Sequence, residues 1–353
     1  MQLNLGLRTS LARIALRLAP EQVRDHICWP SPEGGELADE RDLYYCYRLL
    51  MGRDPDATGW RYYRSLIKTG WSVQDLVHSF LTSSEFQERV APPVEHGPHE
   101  LVRVAQGFEM YVSPNDWVVG RQIHETGSYE PHVTATLTRH LKPGATFLDI
   151  GANVGYFSLL AANQVGPEGK VIACEPNPYC CALLLASCRH NGFTNLDLYP
   201  FAISERFALH QLETSDTNGE LMSLPDRLDE MLSRRLVFAA PLDWLPHERR
   251  IDAIKLDVEG AEYLALCGGT ELLRRDRPVI ISEFSPPRLQ RVSGVTAERY
   301  AELLIEAGYR ISCLTAIGAD DGFTDDARRV AGWMERMDHD HIDILAVPSD
   351  TIH

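Results

Sequence analysis

The chain has too few basic side chains for several classes of function. Its 353 residues include 34 Lys and Arg against 50 Asp and Glu, a formal net charge of −16. A protein that binds the phosphate backbone of nucleic acids needs clustered Lys and Arg, so we expect no nucleic-acid partner. An enzyme that acts on a small molecule or a neutral glycan fits this charge equally well.

Paired cysteines and long apolar runs are missing as well. None of the eight cysteines forms a Cys-x-x-Cys pair, and most lie inside apolar runs, as Cys174 does in KVIACEP. This pattern indicates free buried thiols, a reducing cytoplasmic compartment and no zinc site. No apolar run approaches the roughly 20 residues that a membrane helix needs, and residues 1–20 lack the features of a secretory signal.

Residues 1–20 instead place apolar side chains at helical spacing, together with arginines and no acidic residue. One interpretation is an amphipathic helix that lies in the surface of a membrane, at its inner face. The other, which we favour, is a helix packed on the rest of the protein, because any packed surface helix is amphipathic.

Helical and β-rich patterns divide the chain near residue 100. Residues 39–91 show only helical periodicity, with Trp60, Tyr63 and Ile67 on one predicted face. The prolines and glycine that follow are typical of a linker. We predict the following organisation: an N-terminal helix and lead-in over 1–38, a small helical domain over 39–91, a linker over 92–99 and the main domain over 100–353.

Short polar motifs occur at the predicted starts of helices and in a turn of the helical domain. Ser72-x-x-Asp75 and Thr82-x-x-Glu85 are typical of helix starts, because the hydroxyl caps an amide and the acid reaches back. Asp54 and Asp56 lie in a turn between helices. They could be calcium ligands, but a calcium loop needs six or more oxygens, so we interpret both as turn and cap residues.

From residue 100 onward, short β-rich runs alternate with helical patterns. The runs are TFLDIGA, KVIACEP, LDLYPFAIS, DAIKLDVEG, PVIISEF, YRISCLT and DILAVPS, and the helical patterns cover 154–164, 178–190, 260–274 and 296–308. This alternation predicts an α/β fold, with a mostly parallel sheet covered by helices on both faces and preceded by the small all-α domain. Ligands bind such sheets beyond the carboxyl ends of the strands, so functional residues should follow each strand.

A glycine turn is the strongest chemical signal. Asp149 ends a predicted strand, Gly151 allows a tight turn, and Gly155 lets the backbone approach a ligand where a helix begins. The spacing is not the G-x-G-x-x-G that holds a pyrophosphate. It leaves a pocket edged by a carboxylate, which suits a cationic sulfonium with an amino-acid tail. A plain strand–turn–helix corner is the alternative.

Acidic residues follow the next strands. Glu175 ends the following strand, 24 residues after Gly151, and an acid at about that distance commonly accepts hydrogen bonds from ribose hydroxyls. Lys255, Asp257 and Glu259 alternate along a later strand and its end, so they should point to one side. The alternative is that these three residues form a structural ion-pair cluster, because charged groups in such clusters have perturbed pKa values just as catalytic groups do.

Together these motifs resemble the FkbM family of methyltransferases over roughly residues 100–285. The resemblance is carried by FLDIGANVGYFSLLA, EPNP, IDAIKLDVEGAE, RPVIISEF and the upstream TGSYEPHVTATLTRHLKPGATF. It implies the Rossmann-like fold of class I methyltransferases, S-adenosylmethionine as the donor, and O-methylation of hydroxyls, often on sugars or polyketides. The residues that would then contact the cofactor are Tyr129, Glu130, Asp149, Gly151, Asn153, Gly155, Glu175 and Asn177.

On the acceptor side, the resemblance implies that Lys255, Asp257 and Glu259 carry the chemistry, with Asp257 as the first choice of general base. Asp257 and Glu259 could also hold a divalent cation, but two carboxylates are too few to predict a metal. Glu283, at the end of the neighbouring strand, is a weaker candidate of the same kind.

Two further residues are candidates for the acceptor side. Trp244 follows Asp243 in PLDWL, where the family usually has a second acid. Trp244 is either a sugar-stacking face or a core residue. The sequence leaves both open, because a tryptophan buries a large area in either role. His339 and His341 precede the last strand; we interpret them as exposed loop residues, although His341 could act as a base.

The helical module resembles a small bacterial domain of unknown function that recurs beside glycan-modifying proteins. We therefore expect an enzyme of glycan modification, with a sugar or glycan acceptor and a peripheral membrane or glycan-assembly contact through residues 1–91. The alternatives are a catalytically silent scaffold that binds the cofactor and recruits a glycan assembly complex, and a nicotinamide oxidoreductase. The acceptor and the oligomeric state are not predicted.

Overall fold

A computed structural model describes most of the chain. The described residues are 37–51, 53–81, 83, 98–215, 217–223, 235–245, 249–315, 318–319, 322–334 and 341–351. The N-terminal amphipathic helix, the helix start at Thr82-x-x-Glu85, most of the linker and His339 lie outside them. The chain divides into two compact units, Met1–Glu95 and His96–His353.

The first unit is helical where it is described. Its helices are α1 (Glu40–Leu49), α2 (Ala57–Lys68) and α3 (Val73–Leu81). Their buried core contains residues such as Leu43, Leu76 and Phe80, and Trp60, Tyr63 and Ile67 pack against it.

Side-chain caps define the helix starts of this unit. The Ser72 hydroxyl accepts from the Asp75 amide at 3.1 Å while the Asp75 carboxylate accepts from the Ser72 amide at 3.0 Å, which is the arrangement that the motif predicts. Asp56 caps α2 by accepting from two backbone amides. Arg48 and Arg53 donate to Asp54 and Asp56 respectively, so Asp56 has the cap contacts expected of it and Asp54 forms an ion pair.

The second unit contains all the described strands. They are β1 (Glu100–Arg103), β2 (Glu109–Val112), β3 (Thr146–Ile150), β4 (Lys170–Cys174), β5 (Leu196–Tyr199), β6 (Ala202–Ser204), β7 (Ala208–Ser215), β8 (Asn218–Met222), β9 (Arg235–Pro241), β10 (Ala253–Leu256), β11 (Val279–Phe284), β12 (Tyr309–Thr315), β13 (Gly318–Ala319) and β14 (Ile342–Pro348).

Its helices lie mostly between these strands. They are α4 (Gly120–Thr126), α5 (Pro131–His140), α6 (Tyr156–Val165), α7 (Pro178–Asn191), α8 (Glu262–Cys267), α9 (Thr270–Asp276), α10 (Pro286–Val292), α11 (Ala297–Glu306) and α12 (Ala327–Ala331). Among the described residues, no helix is both long enough and apolar enough to cross a membrane.

Eight of the strands form one sheet in the order β13-β12-β14-β11-β10-β3-β4-β5. The pairs from β11 to β5 are parallel, while β14 runs antiparallel to both β11 and β12. One face packs on a core to which α4–α7 contribute, and the other packs on a core to which α8–α12 contribute. The predicted α/β fold, a mostly parallel sheet covered on both faces, is confirmed.

A second sheet, in the order β6-β9-β7-β8, was not predicted. The run LDLYPFAIS is not one strand: it divides into β5 of the large sheet and β6 of the small one. The helical pattern over 260–274 also divides, at Gly268. A Cβ there would lie 2.1 Å from the Ser204 carbonyl oxygen, so glycine permits the corner between α8 and α9 to lie against β6.

Candidate active site

The large sheet has its topological switch point between β3 and β10. From β3 the chain moves to β4 and β5 on one side, and it later returns to place β10 on the other side. In open α/β sheets a crevice forms at this point, beyond the carboxyl ends of the strands. A cavity of about 340 Å³ lies there. The predicted site residues that line it are Tyr129, Glu130, Gly151, Asn153, Glu175, Lys255, Asp257, Glu259, Glu283 and His341.

The glycine turn brings β3 against the end of β10. Gly151 has a φ of +83°, and a Cβ at this position would lie 1.8 Å from the carbonyl oxygen of Asp257. Only glycine fits both the left-handed backbone and this close approach. Gly155 also has a positive φ, but its missing side chain makes room for Leu184 of α7, 2.5 Å from a Cβ there. Gly155 thus allows close packing of a helix and does not line the cavity; its approach to a ligand stays a prediction.

Glu175 lies at the end of β4 with both carboxylate oxygens facing backbone amides. The Asn153 amide donates to Oε2 at 2.8 Å and the Asn177 amide donates to Oε1 at 2.7 Å. Burial raises the pKa of Glu175 to about 7, against the lowering effect of these two bonds. Each oxygen keeps a further lone pair for a ligand hydroxyl, so the geometry suits the predicted ribose contact.

Two residues expected to contact the cofactor lie behind the cavity rather than on its lining. The Asp149 side chain turns toward α6, where Ser158 donates to Oδ2 at 2.6 Å, because alternate residues of a strand face opposite sides of the sheet. Asn177 caps α7 by accepting from the Tyr179 amide, and Arg235 also donates to it. Both predictions of a lining position are wrong, and these residues support the turn and Glu175 from behind.

Lys255 joins two acids of the cavity. Its side chain is 1% exposed, and its Nζ lies 2.8 Å from Asp257 Oδ2 and 3.8 Å from Glu130 Oε2. Burial lowers the pKa of Lys255, but the negative charges of Asp257, Glu130 and Asp343 outweigh it and raise the pKa well above its ordinary value. Burial raises the pKa of Asp257, but Lys255 overcomes this effect and holds it at about 2. Asp257 is therefore ionised at neutral pH.

Arg288, at the start of α10, links the two other acids. Its guanidinium lies 2.6 Å from Glu259 Oε2 and also bonds Glu283 Oε1. Burial raises the pKa of Glu283 well above its ordinary value, as do the charge of Asp257 and a hydrogen bond with it. Sequence reasoning missed Arg288, although a basic residue soon after a strand that ends at the same edge of the sheet was a usable signal.

The three carboxyl groups of Asp257, Glu259 and Glu283 have oxygen atoms within 4.8 Å of one another, a spacing that would suit a cation. However, Lys255 and Arg288 each bind oxygens of these carboxyl groups. The same three acids therefore also form an ion-pair cluster. His341 lies at the exposed edge of the same cavity.

Trp244 lies outside the cavity, and the interpretation as a sugar-stacking residue is wrong. Its ring packs against Phe201 and Phe207, with centroids 5.7 and 5.5 Å apart. Asp243, its neighbour, accepts from the amides of Glu271 and Leu272 and so caps α9. The aromatic group is therefore part of the packing around the second sheet.

The turn between β7 and β8 forms another wall of the cavity that sequence reasoning missed. Thr217 and Asn218 line the cavity, and the Asn153 side-chain amide donates to the Thr217 carbonyl and to Asn218 Oδ1. Buried Asp116 accepts from the Thr217 hydroxyl at 2.7 Å. These bonds tie the second sheet to the glycine turn.

Comparisons with known proteins agree with this description. Residues 149–311 match the family model of the methyltransferase FkbM domain, and residues 33–90 match a domain of unknown function, DUF4214. AMB antimetabolite synthetase AmbE of Pseudomonas aeruginosa is 27% identical over 209 residues, which is 49% of this chain and 10% of that protein. The chain thus spans about a tenth of the length of this curated relative.

Solved methyltransferases show a distant likeness. A methyltransferase FkbM from Methylobacillus flagellatus aligns with a TM-score of 0.36 and 14% identity, covering 86% of this chain and 59% of that one. A SAM-dependent O-methyltransferase from Thermotoga maritima aligns with a TM-score of 0.38 and 17% identity, covering 71% and 78%.

The fold and the crevice at its switch point are those of class I methyltransferases. Within this fold, residues 149–311 match the FkbM methyltransferase domain, and the match to DUF4214 precedes them. The fold, the family and the methyl donor expected from the sequence are thereby confirmed. The roles of the individual site residues stay predictions.

Proposed function

We propose that this chain is an O-methyltransferase that methylates a hydroxyl group of a sugar, in a bacterial glycan or a glycosylated metabolite. The observation that carries the proposal is the acceptor end of the cavity, where Asp257, Glu259 and Glu283 lie beside Arg288. Carboxylates accept hydrogen bonds from hydroxyl protons and a guanidinium donates to hydroxyl oxygens. This combination complements a polyhydroxylated, uncharged ring.

The donor end of the cavity supports the same proposal. Glu175 would accept from the ribose hydroxyls of S-adenosylmethionine, and the glycine turn at Gly151 would allow the donor to lie close to the backbone. Methyl transfer from a sulfonium is an in-line displacement, so the enzyme must align the acceptor oxygen with the methyl carbon. The bond from carbon to sulfur breaks as the bond from carbon to oxygen forms.

The acceptor hydroxyl must lose its proton during this step. A carboxylate within hydrogen-bond reach typically contributes about 10²–10⁴-fold in rate. Asp257 is the first candidate, because it lines the cavity and is ionised. A hydrogen bond joins it to Glu283, so the two carboxyl groups titrate as a pair. Lys255 would position Asp257, and Glu259, Arg288 and His341 would hold the acceptor.

The helical unit would help to bring the acceptor to the active site. We expect residues 1–91 to contact a glycan-assembly complex or the membrane surface near it, since the catalytic groups that we name all belong to the second unit. The alternative of a silent scaffold predicts donor binding without methyl transfer.

Calorimetry and a transfer assay test the proposal. S-adenosylmethionine and S-adenosylhomocysteine should bind and NAD should not. Labelled methyl groups should then enter a glycan fraction of a bacterial extract, and the label should be found on a sugar oxygen. Absence of binding by both sulfur compounds would contradict the methyltransferase; binding without transfer to any fraction would favour the scaffold.

Glu175→Ala tests the donor end. Loss of a hydrogen bond to a charged group costs about 1.5–3 kcal/mol, so the affinity for S-adenosylmethionine should fall by roughly one to two orders of magnitude. Glu298→Ala, a half-exposed residue of α11 that pairs with Arg328 and does not line the cavity, should leave the affinity unchanged. Equal affinity of both variants in calorimetry would remove Glu175 from the donor site.

A further inference from the structure

Glu130 offers the cavity a carboxylate oxygen that the described protein groups leave unbound. Its Oε2 atom is buried and has no hydrogen-bond partner among the described residues, and the residue lines the cavity. The nearest cation is the Lys255 ammonium, at 3.8 Å, which is too far for a hydrogen bond. A buried acceptor without a partner is costly, so a ligand group that donates to it would be strongly favoured.

The surrounding structure holds the backbone of Glu130 in an unfavourable conformation. Glu130 has φ 37° and ψ 73°, left-handed values that are unfavourable for a residue with a side chain. Pro131 begins α5 directly after it, and the Thr134 amide donates to the Glu130 carbonyl at 2.9 Å. Strain of this kind persists where the surrounding structure enforces it, most often at ligand sites.

The other acids that line the cavity differ from Glu130. Glu175 binds two backbone amides, Asp257 binds Lys255, and Arg288 binds Glu259 and Glu283. Asp149 also has an unbound oxygen, but it does not line the cavity. Among the described acids that line the cavity, Glu130 is thus the one with a buried carboxylate oxygen to which no described group donates a hydrogen bond.

We propose that Glu130 binds the α-ammonium group of S-adenosylmethionine, and that Lys255 binds the α-carboxylate of the same amino-acid tail. This inference rests on the proposed function. A carboxylate beside an ammonium is the complement of an α-amino acid, which carries the opposite pair of charges. Lys255 has three donors, and Asp257 accepts from it in the described structure, so it keeps donors for a carboxylate.

The position of Glu130 agrees with the course of the donor through the crevice. Glu175 ends β4 and Lys255 lies on β10, with β3 between them. Neighbouring strands lie about 4.8 Å apart, so the ribose and tail contacts would be separated by roughly 10 Å across the switch point. A donor with its ribose at Glu175 therefore extends its amino-acid tail toward Lys255 and Glu130.

Binding should be linked to a proton on Glu130. Burial raises the pKa of Glu130 to about 7, the charges of Asp343 and Asp257 raise it, and those of Lys255 and His132 lower it. Below that pH the carboxyl group is mostly protonated, and it must lose the proton to bind an ammonium. Tail binding therefore releases a proton near pH 6 and not at pH 8.5.

Calorimetry with three probes tests the proposal: S-adenosylmethionine, S-adenosylhomocysteine and 5′-methylthioadenosine, which lacks the amino-acid tail. At pH 8, Glu130→Gln should lower the affinity for S-adenosylmethionine and S-adenosylhomocysteine by roughly 10- to 100-fold, as expected for a lost charged bond. It should change the affinity for 5′-methylthioadenosine by less than about twofold. Glu125→Gln, an exposed residue of α4, should change none of them. Equal effects of Glu130→Gln on all three probes would overturn the assignment.

A second measurement needs only the wild-type protein. Proton release is obtained from binding enthalpies in buffers of different ionisation enthalpy at pH 6.5. Glu175 can also release a proton, but 5′-methylthioadenosine engages that residue as well. S-adenosylmethionine should therefore release more protons than 5′-methylthioadenosine, and equal release would contradict the tail contact. If no probe binds the wild type, the proposed function itself fails; if all bind without these differences, only the present inference fails.

Discussion

Lys255 is the residue on which the charge balance of the cavity depends. It is buried in a central strand, its Nζ lies 2.8 Å from Asp257, and the ring of Phe157 lies 5.2 Å away. Removing one member of a buried ion pair is strongly destabilising, because the other charge is left without a partner. Catalytic and structural roles of Asp257 therefore have to be separated in any experiment.

Asp257→Asn should affect both stability and turnover. The free energy of unfolding should fall by roughly 3 kcal/mol, because Lys255 loses its ionised partner. Turnover should fall at least about a hundredfold, because asparagine cannot accept the proton of the acceptor hydroxyl. Chemical denaturation and methyl transfer measure the two effects, and affinity for the donor should largely survive.

The double variant Lys255→Met with Asp257→Leu is the matched control. It removes both charges, so it should recover most of the lost stability and none of the activity. If Asp257→Asn turns over normally, Asp257 is not the base, and attention moves to Glu259 and His341.

At the scale of the elements, the contact between the β3 turn and the end of β10 is the tightest part of the site. Gly151→Ala should be far more harmful than Gly144→Ala, although both glycines have nearly the same φ, +83° and +82°. A left-handed residue with a side chain costs about 1–2 kcal/mol, and a Cβ at Gly144 meets nothing within 4 Å. At Gly151 it would meet the Asp257 backbone.

We therefore expect Gly144→Ala to lower the free energy of unfolding by about 1–2 kcal/mol and to keep donor binding. Gly151→Ala should cost at least about twice as much and lose donor binding, since β3 and β10 must separate. Denaturation and calorimetry compare the two. Similar behaviour of both variants would show that backbone strain, not the approach of the strands, determines the cost.

The large sheet was predictable because its strands are apolar on both faces. TFLDI and VIISEF stand out as continuous runs, since helices cover both sides of them. β7 reads ALHQLETS, with Glu213 and Thr214 exposed and Gln211 buried. A strand of this kind has no continuous apolar run, so the second sheet escaped prediction.

The candidate site was predictable in part for the same reason. Its acids follow strands that end at one edge of the sheet, so their proximity follows from topology. Which way a side chain turns does not: Asp149 faces Ser158, and Trp244 faces other aromatic rings. The bond between Arg288 and Glu259 joins residues far apart in the chain, and no local pattern reveals it.

At the scale of the whole molecule, the division at residue 95 has a direct test. Residues 96–353 contain the cavity and every described residue that lines it. A chain beginning at His96 should therefore be soluble and should bind S-adenosylmethionine with unchanged affinity in calorimetry. A folded product that cannot bind would contradict the independence of this unit; loss of transfer to a glycan alone would assign acceptor delivery to residues 1–95.

Buried carboxyl groups also determine how stability depends on pH. Burial raises the pKa of Glu175 and Glu262 from 4.5 to about 7, and that of Asp149 from 3.8 to about 6. Such groups hold a proton in the folded state that the unfolded chain has already released. Their contribution to stability is complete below the unfolded pKa and is lost as the pH rises through the folded pKa. Asp257, with a pKa of about 2, acts in the opposite sense but only at lower pH.

The ligand-free protein should therefore lose stability between pH 5 and pH 8, which thermal denaturation in a series of buffers measures. Repulsion within a chain of net charge −16 acts in the same direction, so a variant is needed to separate the two causes. Glu262 accepts from the amides of Val258 and Gly260 through Oε1, and Glu262→Gln keeps an oxygen there while removing the titration. Its melting temperature should fall less steeply with pH than that of the wild type. An equal slope in both proteins would assign the pH dependence to net charge and not to buried carboxyl groups.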